Sequence, residues 1–517
     1  MRADWSHPLD GQMSASLIVR ADASTEIGTG HVMRCLALAQ GWQDAGGIVS
    51  FVMGTHSHSL ESRLKSEGME IIHLTSLPGG LEDAGQTAKV ARERRASWIV
   101  IDGYHFHSEY QEAIKSAGLD LLAIDDNGHA IHYFADLVLN QNLHADSVLY
   151  QSREPGTRLL LGTRYVQLRR EFRKLQGLHR RVREDGKRIL VTLGGSDPEN
   201  VTLKVLCALQ RLSIPEIEAV IVVGGNNPNY EHLQASIADF SPHFRLAKNV
   251  EDMPELLSWA DIAVTSAGTT VWEAAFMGLP SILLTIADNQ IGVAKRLGEM
   301  DMAINLGWHQ SLTKEDIARA VEGLLSDPGK RGLMSRRVQE LVDGEGVERV
   351  QMYLSGCSLR LRRARQADCE RIWRWANEPE TRAASFSSDA IPWENHVEWF
   401  NCKINDPNYF LFIAQDVHDD FVGVVRFQAC REEAVISVNI TENKRGLGLG
   451  MPLIVAAVEE LFRTTCITSV HAFIKPENDR SIRTFEGCKF QRMGTKSVNG
   501  ENALHYLKLK CPELQIG

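Results

Sequence analysis

Two short glycine loops in this chain could each hold an anionic group, and they differ in the side chain beside the turn. The first, Gly28-Thr29-Gly30-His31, follows the apolar run Leu17-Ile18-Val19 and carries an imidazole. The second, Arg445-Gly446-Leu447-Gly448-Leu449-Gly450, carries an arginine. In a strand, glycine turn and helix order, backbone N–H groups and the helix N-terminus point at an anion such as a phosphate. The sequence therefore predicts two anion sites, and two chemistries, in one polypeptide.

His31 is the candidate for a general base in the first site. Ligands of parallel α/β sheets sit at the carboxyl ends of the strands, which is where this histidine follows its strand. The start of a helix disfavours a positive imidazolium, so a histidine there can act as a neutral base. The alternative is that His31 only caps the helix.

A second segment of the same kind could bind a nucleotide. Ile262–Thr265 is a predicted strand, and Ser266-Ala267-Gly268-Thr269-Thr270 is a glycine-containing turn before a helix. The N–H groups of Gly268, Thr269 and Thr270 can face a diphosphate. Glu273, one turn into the helix, can accept both hydroxyls of a ribose, or it is a solvated helix residue. The polar pair Asn289-Gln290 follows the next predicted strand.

Length and composition limit the class of protein. A chain of 517 residues is too long for one core and suggests about three domains. The hydrophobic content of 44% and charged content of 24% are ordinary for a globular protein. The net charge of −10 argues against non-specific binding to nucleic acid or an anionic membrane, so no partner of either kind is expected.

The cysteines and the apolar stretches bear on the compartment. Nine cysteines without a CxxC pair favour a reducing cytoplasm and argue against a disulfide framework or a zinc site, so no metal is predicted. No apolar stretch reaches the roughly 18 residues of a membrane span. Residues 1–16 lack the apolar region of a signal peptide and are predicted to be a disordered tail, with Met13 a plausible start.

The order of elements predicts an α/β fold with two Rossmann-like halves, followed by an α+β domain. Short β-branched runs alternate with helical patterns from Leu17 onward, and the alternation restarts at Arg188 after a basic segment. From Leu359 helices come first and adjacent strands follow, which favours a largely antiparallel sheet. The predicted boundaries are 17–167 and 188–345 for the halves, 168–187 and 346–358 for linkers, and 359–510 for the last domain.

Residues 17–345 resemble the two-domain glycosyltransferase-B (GT-B) architecture of the MurG type, and within it the PseG family. The resemblance is carried by Arg20–Ser24 with Ile27–Cys35, by Asp102–Phe106, Asp125-Asp126, Asn140–Asn142 and Gly194–Pro198, and by the Ser-Ala-Gly-Thr-Thr…Glu…Gly-Leu-Pro…Asp-Asn-Gln pattern. PseG enzymes hydrolyse UDP-2,4-diacetamido-2,4,6-trideoxy-β-L-altropyranose in pseudaminic acid biosynthesis. The resemblance implies that His31 deprotonates a water, which attacks the anomeric carbon and expels UDP with inversion.

The same resemblance assigns the remaining residues of the first site. Tyr104 would orient sugar or water, and Asp22 is a further catalytic candidate. The residues that would face the sugar are Gly30, Arg34, Asp125 and Asp126. For Asp22, Asp125 and Asp126, the open alternative is that each only caps the end of a strand. The UDP-binding set comprises Gly194, Ser196, Gly268, Thr269, Thr270, Glu273, Asn289 and Gln290.

Residues 359–510 resemble the GNAT acetyltransferases. Arg445–Gly450 fits their R-x-x-G-x-G/A pyrophosphate loop, and Asn478, Ser481 and the Phe485–Phe490 ending follow at typical places. The resemblance implies acetyl-CoA as cosubstrate, held by Lys444, Arg445, Gly446, Leu447, Gly448, Gly450, Met451, Asn478 and Ser481. Many GNAT enzymes have a tyrosine general acid where Phe485 stands, and phenylalanine cannot donate a proton. Glu442 is the candidate base or a solvated loop residue, whereas His396, Trp399 and Phe400 are predicted to form a core face.

The two resemblances together predict a bifunctional enzyme. In the PseG pathway the preceding step is N-acetylation of a UDP-4-amino sugar by a GNAT enzyme of PseH type, so a fusion would join consecutive steps. One alternative is the same chemistry on another UDP-amino sugar of a related nonulosonate or surface glycan. Another is a non-catalytic GT-B binding module beside a GNAT domain that modifies protein.

Overall fold

The chain forms two compact units, residues 1–351 and 352–517. The computed structural model describes residues 16–24, 28–195, 197–225, 227–237, 240, 243–250, 252–355, 359–416 and 418–510. The predicted tail lies outside the described residues except for Ser16, which begins the first strand. Ser196 also lies outside them.

The first half of the larger unit is a parallel sheet of seven strands in the order β3-β2-β1-β4-β5-β6-β7. Its elements are β1 (Ser16–Ala21), α1 (Gly30–Asp44), β2 (Ile48–Met53), α2 (His58–Ser66), β3 (Glu70–His73), α3 (Leu81–Glu93), β4 (Ala96–Asp102), α4 (Ser108–Ser116), β5 (Asp120–Ile124), β6 (Leu137–Asn140), β7 (Arg158–Leu161) and α5 (Arg170–Arg173). Every residue of β1 is buried, as expected for a central strand with helices on both faces of the sheet.

The second half repeats this architecture with six parallel strands in the order β10-β9-β8-β11-β12-β13. Its elements are β8 (Arg188–Thr192), α6 (Val201–Leu209), β9 (Glu218–Val223), α7 (Tyr230–Ile237), β10 (Phe244–Lys248), α8 (Met253–Trp259), β11 (Ile262–Ser266), α9 (Thr270–Phe276), β12 (Ser281–Thr285), α10 (Ile291–Glu299), β13 (Ile304–Trp308), α11 (Lys314–Leu325), α12 (Pro328–Gln339) and α13 (Gly346–Leu354). The strand order reverses between β1 and β4 and between β8 and β11, which is where ligands bind in open α/β sheets.

Both segments predicted as linkers are packed. Leu168 and Phe172 are buried in the core of the second half, among the side chains around Trp272. The segment 346–358 begins with α13, whose Val347 and Val350 are fully buried. Apolar side chains at these points tie the two halves together, a feature hidden by the basic composition of 168–187.

The smaller unit has one seven-stranded sheet in the order β14-β15-β16-β17-β18-β20-β19. Its elements are β14 (Leu359–Arg363), α14 (Cys369–Ala376), α15 (Pro379–Ala384), α16 (Trp393–Ile404), β15 (Tyr409–Asp416), β16 (Phe421–Cys430), β17 (Glu433–Ile440), α17 (Gly450–Thr464), β18 (Ser469–Ile474), α18 (Asp479–Gly487), β19 (Gln491–Val498) and β20 (Glu501–Leu509). The sheet is antiparallel except for β17 and β18, which are paired in parallel only at Glu433–Val435. Beyond that point the two strands diverge.

Short 3-10 helices complete the secondary structure at Ser147–Tyr150, Thr163–Tyr165, Asp288–Gln290, His309–Ser311, Gln366–Asp368 and Glu442–Lys444. Within the described part of the chain, no helix has both the length and the hydropathy to cross a bilayer.

Candidate functional site

A cleft of about 850 Å³ separates the two halves of the larger unit. It is lined from the first half by the loop before α1, by α2 and by Tyr104, and from the second half by the loops that follow β8, β9, β11 and β12. Both switch points of strand order therefore open into one space, as the resemblance to GT-B proteins implies.

His31 is the second residue of α1 and is oriented by a carboxylate. Its Nδ1 lies 2.5 Å from Oδ1 of Asp102, the last residue of β4. The imidazole is 7% exposed and lines the cleft. A carboxylate on Nδ1 selects the tautomer that carries its hydrogen there, so Nε2 keeps the free electron pair for a proton acceptor role. The helix N-cap is Thr29, so His31 is not the capping residue.

Arg34 keeps Asp102 ionised. The guanidinium donates to Asp102 Oδ2 through Nε at 2.6 Å and to Oδ1 through Nη2 at 2.7 Å. Burial alone would raise the pKa of the Asp102 carboxyl, but the charges of Arg34 and His31 lower it well below its usual range. A carboxylate that stays charged holds the imidazole in place and stabilises the imidazolium once a proton is taken up.

A buried chain of hydrogen bonds runs from Arg34 to the second half. Arg34 Nη1 donates to both carboxylate oxygens of Asp126, at 2.7 and 2.9 Å. Asn142 Nδ2 donates to Asp126 Oδ1 at 2.6 Å, and Trp272 Nε1 on α9 donates to Asn142 Oδ1 at 3.3 Å. The position of the imidazole is thus coupled to the helix that carries Glu273.

Tyr104 stands beside His31 at the mouth of the cleft. The two rings are in an edge-on contact with centroids 5.1 Å apart, and the Tyr104 hydroxyl accepts from Asn289 Nδ2 at 2.9 Å. Burial raises the pKa of the Tyr104 phenol to about 12, so it stays protonated. Its hydroxyl hydrogen is available for a ligand or a water next to the imidazole.

The predicted nucleotide residues of the second half that the structure describes all line the cleft, namely Gly194, Gly268, Thr269, Thr270, Glu273, Asn289 and Gln290. In the first turn of α9, the N–H groups of Val271 and Trp272 donate to the carbonyl oxygens of Gly268 and Thr269 at 3.2 and 3.1 Å. Glu273 accepts from Arg169 Nη2 at 2.8 Å and Nε at 3.1 Å, both at Oε1. This ion pair, and not solvation, fixes the Glu273 carboxylate at the cleft.

The glycine loops of the two halves touch one another. A Cβ on Gly195 would lie 2.5 Å from Thr29 Oγ1, and one on Gly224 would lie 2.2 Å from the Gly195 carbonyl oxygen. Only glycine permits this approach, which brings the loop before α1 against the loop after β8.

Two of the predicted acidic site residues do not line the cleft. Asp22 pairs with the buried Arg20 at 2.6 Å and accepts from the Gly54 N–H at 2.7 Å. Asp125 accepts from the Tyr133 hydroxyl and from the N–H groups of Asn127 and Gly128. Their side chains hold strand ends and loops in place, the alternative left open above, so the expectation that they face the ligand is corrected. Gly30, Arg34 and Asp126 do line the cleft.

The Asp22 ion pair predicts a pH-dependent stability difference. Burial would raise the pKa of Asp22, but His105 and the charge of Arg20 lower it to about 2. A carboxyl with a lowered pKa contributes stability above its unfolded-state pKa near 4, here about 2 kcal/mol, and loses it as the pH falls toward 2. We expect Asp22→Asn to destabilise the chain at pH 7 and to approach the wild type below pH 4, as measured by chemical denaturation across pH. A difference that stays constant with pH would contradict this role.

The second glycine loop has the backbone that the sequence predicts. Gly446 and Gly448 have φ values of +80° and +77°, in the left-handed region that favours glycine. Gly450 begins the 15-residue helix α17, whose N-terminus follows the loop. The loop and α17 connect β17 to β18, which are neighbours in the sheet. The two strands diverge beyond their short paired segment, which leaves a slot between them.

Two side chains assigned to this loop, Lys444 and Arg445, form ion pairs with acidic residues of other segments. Lys444 Nζ pairs with Asp416 at 2.8 Å and Asp420 at 3.0 Å. Arg445 pairs with Glu378 and Glu380 and donates from Nε to the Ile440 carbonyl at 2.9 Å. Both cations hold neighbouring segments, so the expectation that they assist the anion directly is corrected; the loop itself offers backbone N–H groups.

The remaining predicted residues of the smaller unit have mixed placements. The Asn478 side chain caps α18, because its Oδ1 accepts from the Ser481 N–H at 3.1 Å. Leu447 and Met451 are exposed. Glu442 is exposed and lines a cavity of about 670 Å³ beside α14. Phe485 is buried against Phe490.

The predicted core face of α16 is confirmed. His396 and Phe400 are buried, Trp399 packs against them, and His396 Nε2 lies 2.9 Å from the Cys369 carbonyl oxygen.

Four residues that orient the site of the larger unit were not among the predicted site residues. Asp102, Asn142, Arg169 and Trp272 orient the candidate site residues, and each contacts a partner 68 to 130 positions away in sequence. Two of them carried a signal, because Asp102 ends a predicted strand at the edge where His31 begins its helix and Asn142 lies in a segment that carries the PseG resemblance.

One family model matches the second half of the larger unit, and another matches most of the smaller unit. Residues 188–348 match the glycosyltransferase family 28 C-terminal domain, and residues 358–491 match the acetyltransferase (GNAT) domain.

Relatives extend the similarity to the first half of the larger unit. An uncharacterized protein of Methanocaldococcus jannaschii is 23% identical over 92% of this chain and 96% of its own length. The spore coat polysaccharide biosynthesis protein SpsG of Bacillus subtilis is 26% identical over 64% of this chain and 95% of its own. The UDP-2,4-diacetamido-2,4,6-trideoxy-beta-L-altropyranose hydrolase of Campylobacter jejuni is 25% identical over 55% and 96%.

The relative from Methanocaldococcus matches across both units, so the union of the two is shared with another protein. The parallel sheets of the larger unit and the acetyltransferase match of the smaller one confirm the predicted fold classes. The chain is therefore a fusion of a PseG-like portion of GT-B type, containing a glycosyltransferase family 28 C-terminal domain, with a GNAT acetyltransferase domain.

Proposed function

We propose that this chain is a bifunctional enzyme of pseudaminic acid biosynthesis. Its larger unit would hydrolyse UDP-2,4-diacetamido-2,4,6-trideoxy-β-L-altropyranose, and its smaller unit would acetylate the 4-amino group of the preceding UDP-amino sugar with acetyl-CoA. One observation carries the hydrolase assignment: the His31–Asp102 pair and the Gly268–Glu273 segment face the same cleft.

Hydrolysis would begin with a water hydrogen-bonded to His31 Nε2. The imidazole takes one proton as the water oxygen bonds to the anomeric carbon, and the bond from that carbon to the β-phosphate oxygen breaks with its electrons on UDP. Asp102 stabilises the imidazolium, and Tyr104 donates to the water or the sugar. UDP is a good leaving group without protonation, so water activation, worth roughly 10²–10⁴-fold, is the main demand on side chains.

The second half would hold the UDP. The N–H groups of Gly268, Thr269 and Thr270 would donate to the diphosphate, where fixed donors stabilise the charge that develops as the bond breaks. Glu273, held at Oε1 by Arg169, would accept the ribose hydroxyls. Asn289 would link this side of the ligand to Tyr104.

The smaller unit would transfer acetyl from acetyl-CoA to the sugar amine. Backbone N–H groups from Leu447 to Met451 would hold the CoA pyrophosphate, and the diverging ends of β17 and β18 would admit the pantetheine. The neutral amine attacks the thioester carbon, the thiolate leaves, and the amine loses a proton. Glu442 is the candidate acceptor of that proton, and with Phe485 at the usual acid position a water would protonate the thiolate.

A relative supports a second substrate class. The similarity to a spore coat polysaccharide protein over 64% of this chain favours the same chemistry on a UDP-amino sugar of another surface glycan. A non-catalytic binding module is disfavoured, because the buried His31–Asp102–Arg34 network costs desolvation that binding alone does not require.

The hydrolase proposal is tested by UDP release from the UDP-diacetamido sugar in water enriched in ¹⁸O. We expect ¹⁸O in the sugar, not in UDP, with inversion at the anomeric carbon seen by early NMR spectra. Label in UDP would place the cleavage at phosphorus and contradict the role of His31. If the chain turns over only a different UDP-amino sugar, its substrate belongs to the second class, the UDP-amino sugars of another surface glycan.

Asp102→Asn is expected to lower kcat for UDP release by roughly 10²-fold or more, because an amide can donate to Nδ1 and turn the imidazole to the wrong tautomer. Steady-state kinetics measure the loss. Asp136→Asn, at an ion pair with Lys115 away from the cleft lining, is the control and should keep wild-type kcat. Equal kcat in Asp102→Asn and wild type would contradict the orienting role.

A further inference from the structure

Two histidines and a glutamate meet at the carboxyl ends of β2 and β3, outside the sites described above. His56 lies in the loop after β2, Glu61 is in the first turns of α2, and His73 is the last residue of β3. Their nearest ligand atoms all lie within 4.8 Å of one another.

The distances match those between ligands of one small cation. His56 Nδ1 is 3.5 Å and His73 Nε2 is 3.4 Å from the same oxygen, Oε1 of Glu61. Two ligands at about 2.0–2.1 Å from a tetrahedral Zn²⁺ are themselves about 3.4 Å apart. Each histidine nitrogen therefore already has the spacing from Glu61 Oε1 that two ligands of such an ion would have.

The carboxylate is held in this position by the protein. The Ser57 N–H donates to Glu61 Oε1 at 3.3 Å, whereas Lys65 lies 3.7 Å from the other oxygen, Oε2. Oε1 thus faces the histidines. The imidazoles of His56 and His73 are stacked with centroids 3.9 Å apart, so one ring has to turn for both to aim at one ion. The side chain of His56 is 78% exposed and has the room to do so.

We propose that His56, Glu61 and His73 bind one Zn²⁺ ion. Two imidazole nitrogens and one carboxylate oxygen are a donor set that suits zinc, with a fourth position left for water. The lack of a CxxC pair, from which no metal was predicted, argues against a thiolate zinc site and does not bear on a site of histidines and a carboxylate. The ion would tie β3 to the start of α2, whose His58, Ser59 and Arg63 line the nucleotide cleft.

The test is a titration of the untagged full chain with Zn²⁺ by calorimetry, and with Co²⁺ by visible absorption. We expect one equivalent of Zn²⁺ to bind and to raise Tm, since an ion that binds only the folded state stabilises it. The Co²⁺ complex should show the intense absorption of a tetrahedral N/O site. Glu61→Gln and His56→Ala should each abolish the binding of that equivalent or weaken the affinity for Zn²⁺ at least tenfold. His56→Ala should leave the fold intact, because the His56 side chain is exposed.

The matched control is His132→Ala, which removes another imidazole paired with a glutamate, Glu154 at 3.2 Å, on the same half. It should bind Zn²⁺ as the wild type does. Zinc binding that is equal in wild type, Glu61→Gln and His56→Ala would overturn the proposal by placing the ion elsewhere, as would no binding at all. Neither result touches the proposed hydrolase or acetyltransferase chemistry, which uses none of these three residues.

Discussion

His31→Ala is expected to lower kcat for UDP release roughly 10²–10⁴-fold, with KM changed only a few-fold. The variant loses the proposed acceptor of the water proton, whereas the residues of the second half proposed to hold UDP remain in the cleft. Steady-state kinetics with the UDP-diacetamido sugar measure both constants. Acetylation by the smaller unit should be unchanged, because none of its predicted residues is altered.

His132→Ala serves here too as the control, since its partly exposed ring lies outside the cleft lining. Equal kcat in His31→Ala and wild type would contradict the assignment of His31 as the general base.

Gly448→Val is expected to reduce acetyl transfer by about 10- to 100-fold, with UDP hydrolysis unchanged. A β-branched residue at φ +77° costs about 1–3 kcal/mol in the left-handed region, and relief of this strain would turn the loop N–H groups away from the pyrophosphate. Release of CoA from acetyl-CoA, measured with a thiol reagent, gives the rate. The loss should appear mainly as a raised KM for acetyl-CoA.

Gly500→Val is the matched control for this loop. Gly500 also has a left-handed φ, +85°, and also has no atom within 4 Å of a built Cβ, but it lies in the turn between β19 and β20. The backbone strain is therefore similar, and only the position differs. Equal loss of acetyl transfer in the two variants would show that general destabilisation, and not the anion loop, explains the effect.

The fold followed from local patterns because each element is encoded over a few residues. The β-branched runs Ile48–Met53 and Leu137–Asn140, typical of strands, form strands with those bounds. The helical pattern over Leu81–Arg94 forms a helix that ends at Glu93, one residue earlier. The strands β7, β13 and β14 and the hairpin strand β19 were missed. Every residue of β19 before Val498 is exposed, so it lacks the alternation that marks a half-buried strand.

The site was only partly predictable, because its organisation depends on contacts between distant residues. His31 and Gly268 follow strands at places where the fold alone suggests a ligand. No local pattern indicates that Asp102 bonds to His31 or that Trp272 reaches Asn142 across the cleft.

The ion-pair partners of Lys444 and Arg445 were likewise not predictable from the sequence, because they come from distant segments. Lys444 and Arg445 stand next to a phosphate loop in sequence, but acidic residues brought in by β15 and α15 pair with them. Charge in sequence predicts the presence of an ion pair more readily than it predicts the partner.

Mass spectrometry of the products formed by the purified full chain from UDP-2-acetamido-4-amino-trideoxy-altrose and acetyl-CoA tests both proposed activities in one reaction. We expect CoA, UDP and the free diacetamido sugar, with the UDP-diacetamido sugar as a transient intermediate. Lasting accumulation of that intermediate would contradict the hydrolase, and release of UDP with no acetylated product would contradict the acetyltransferase.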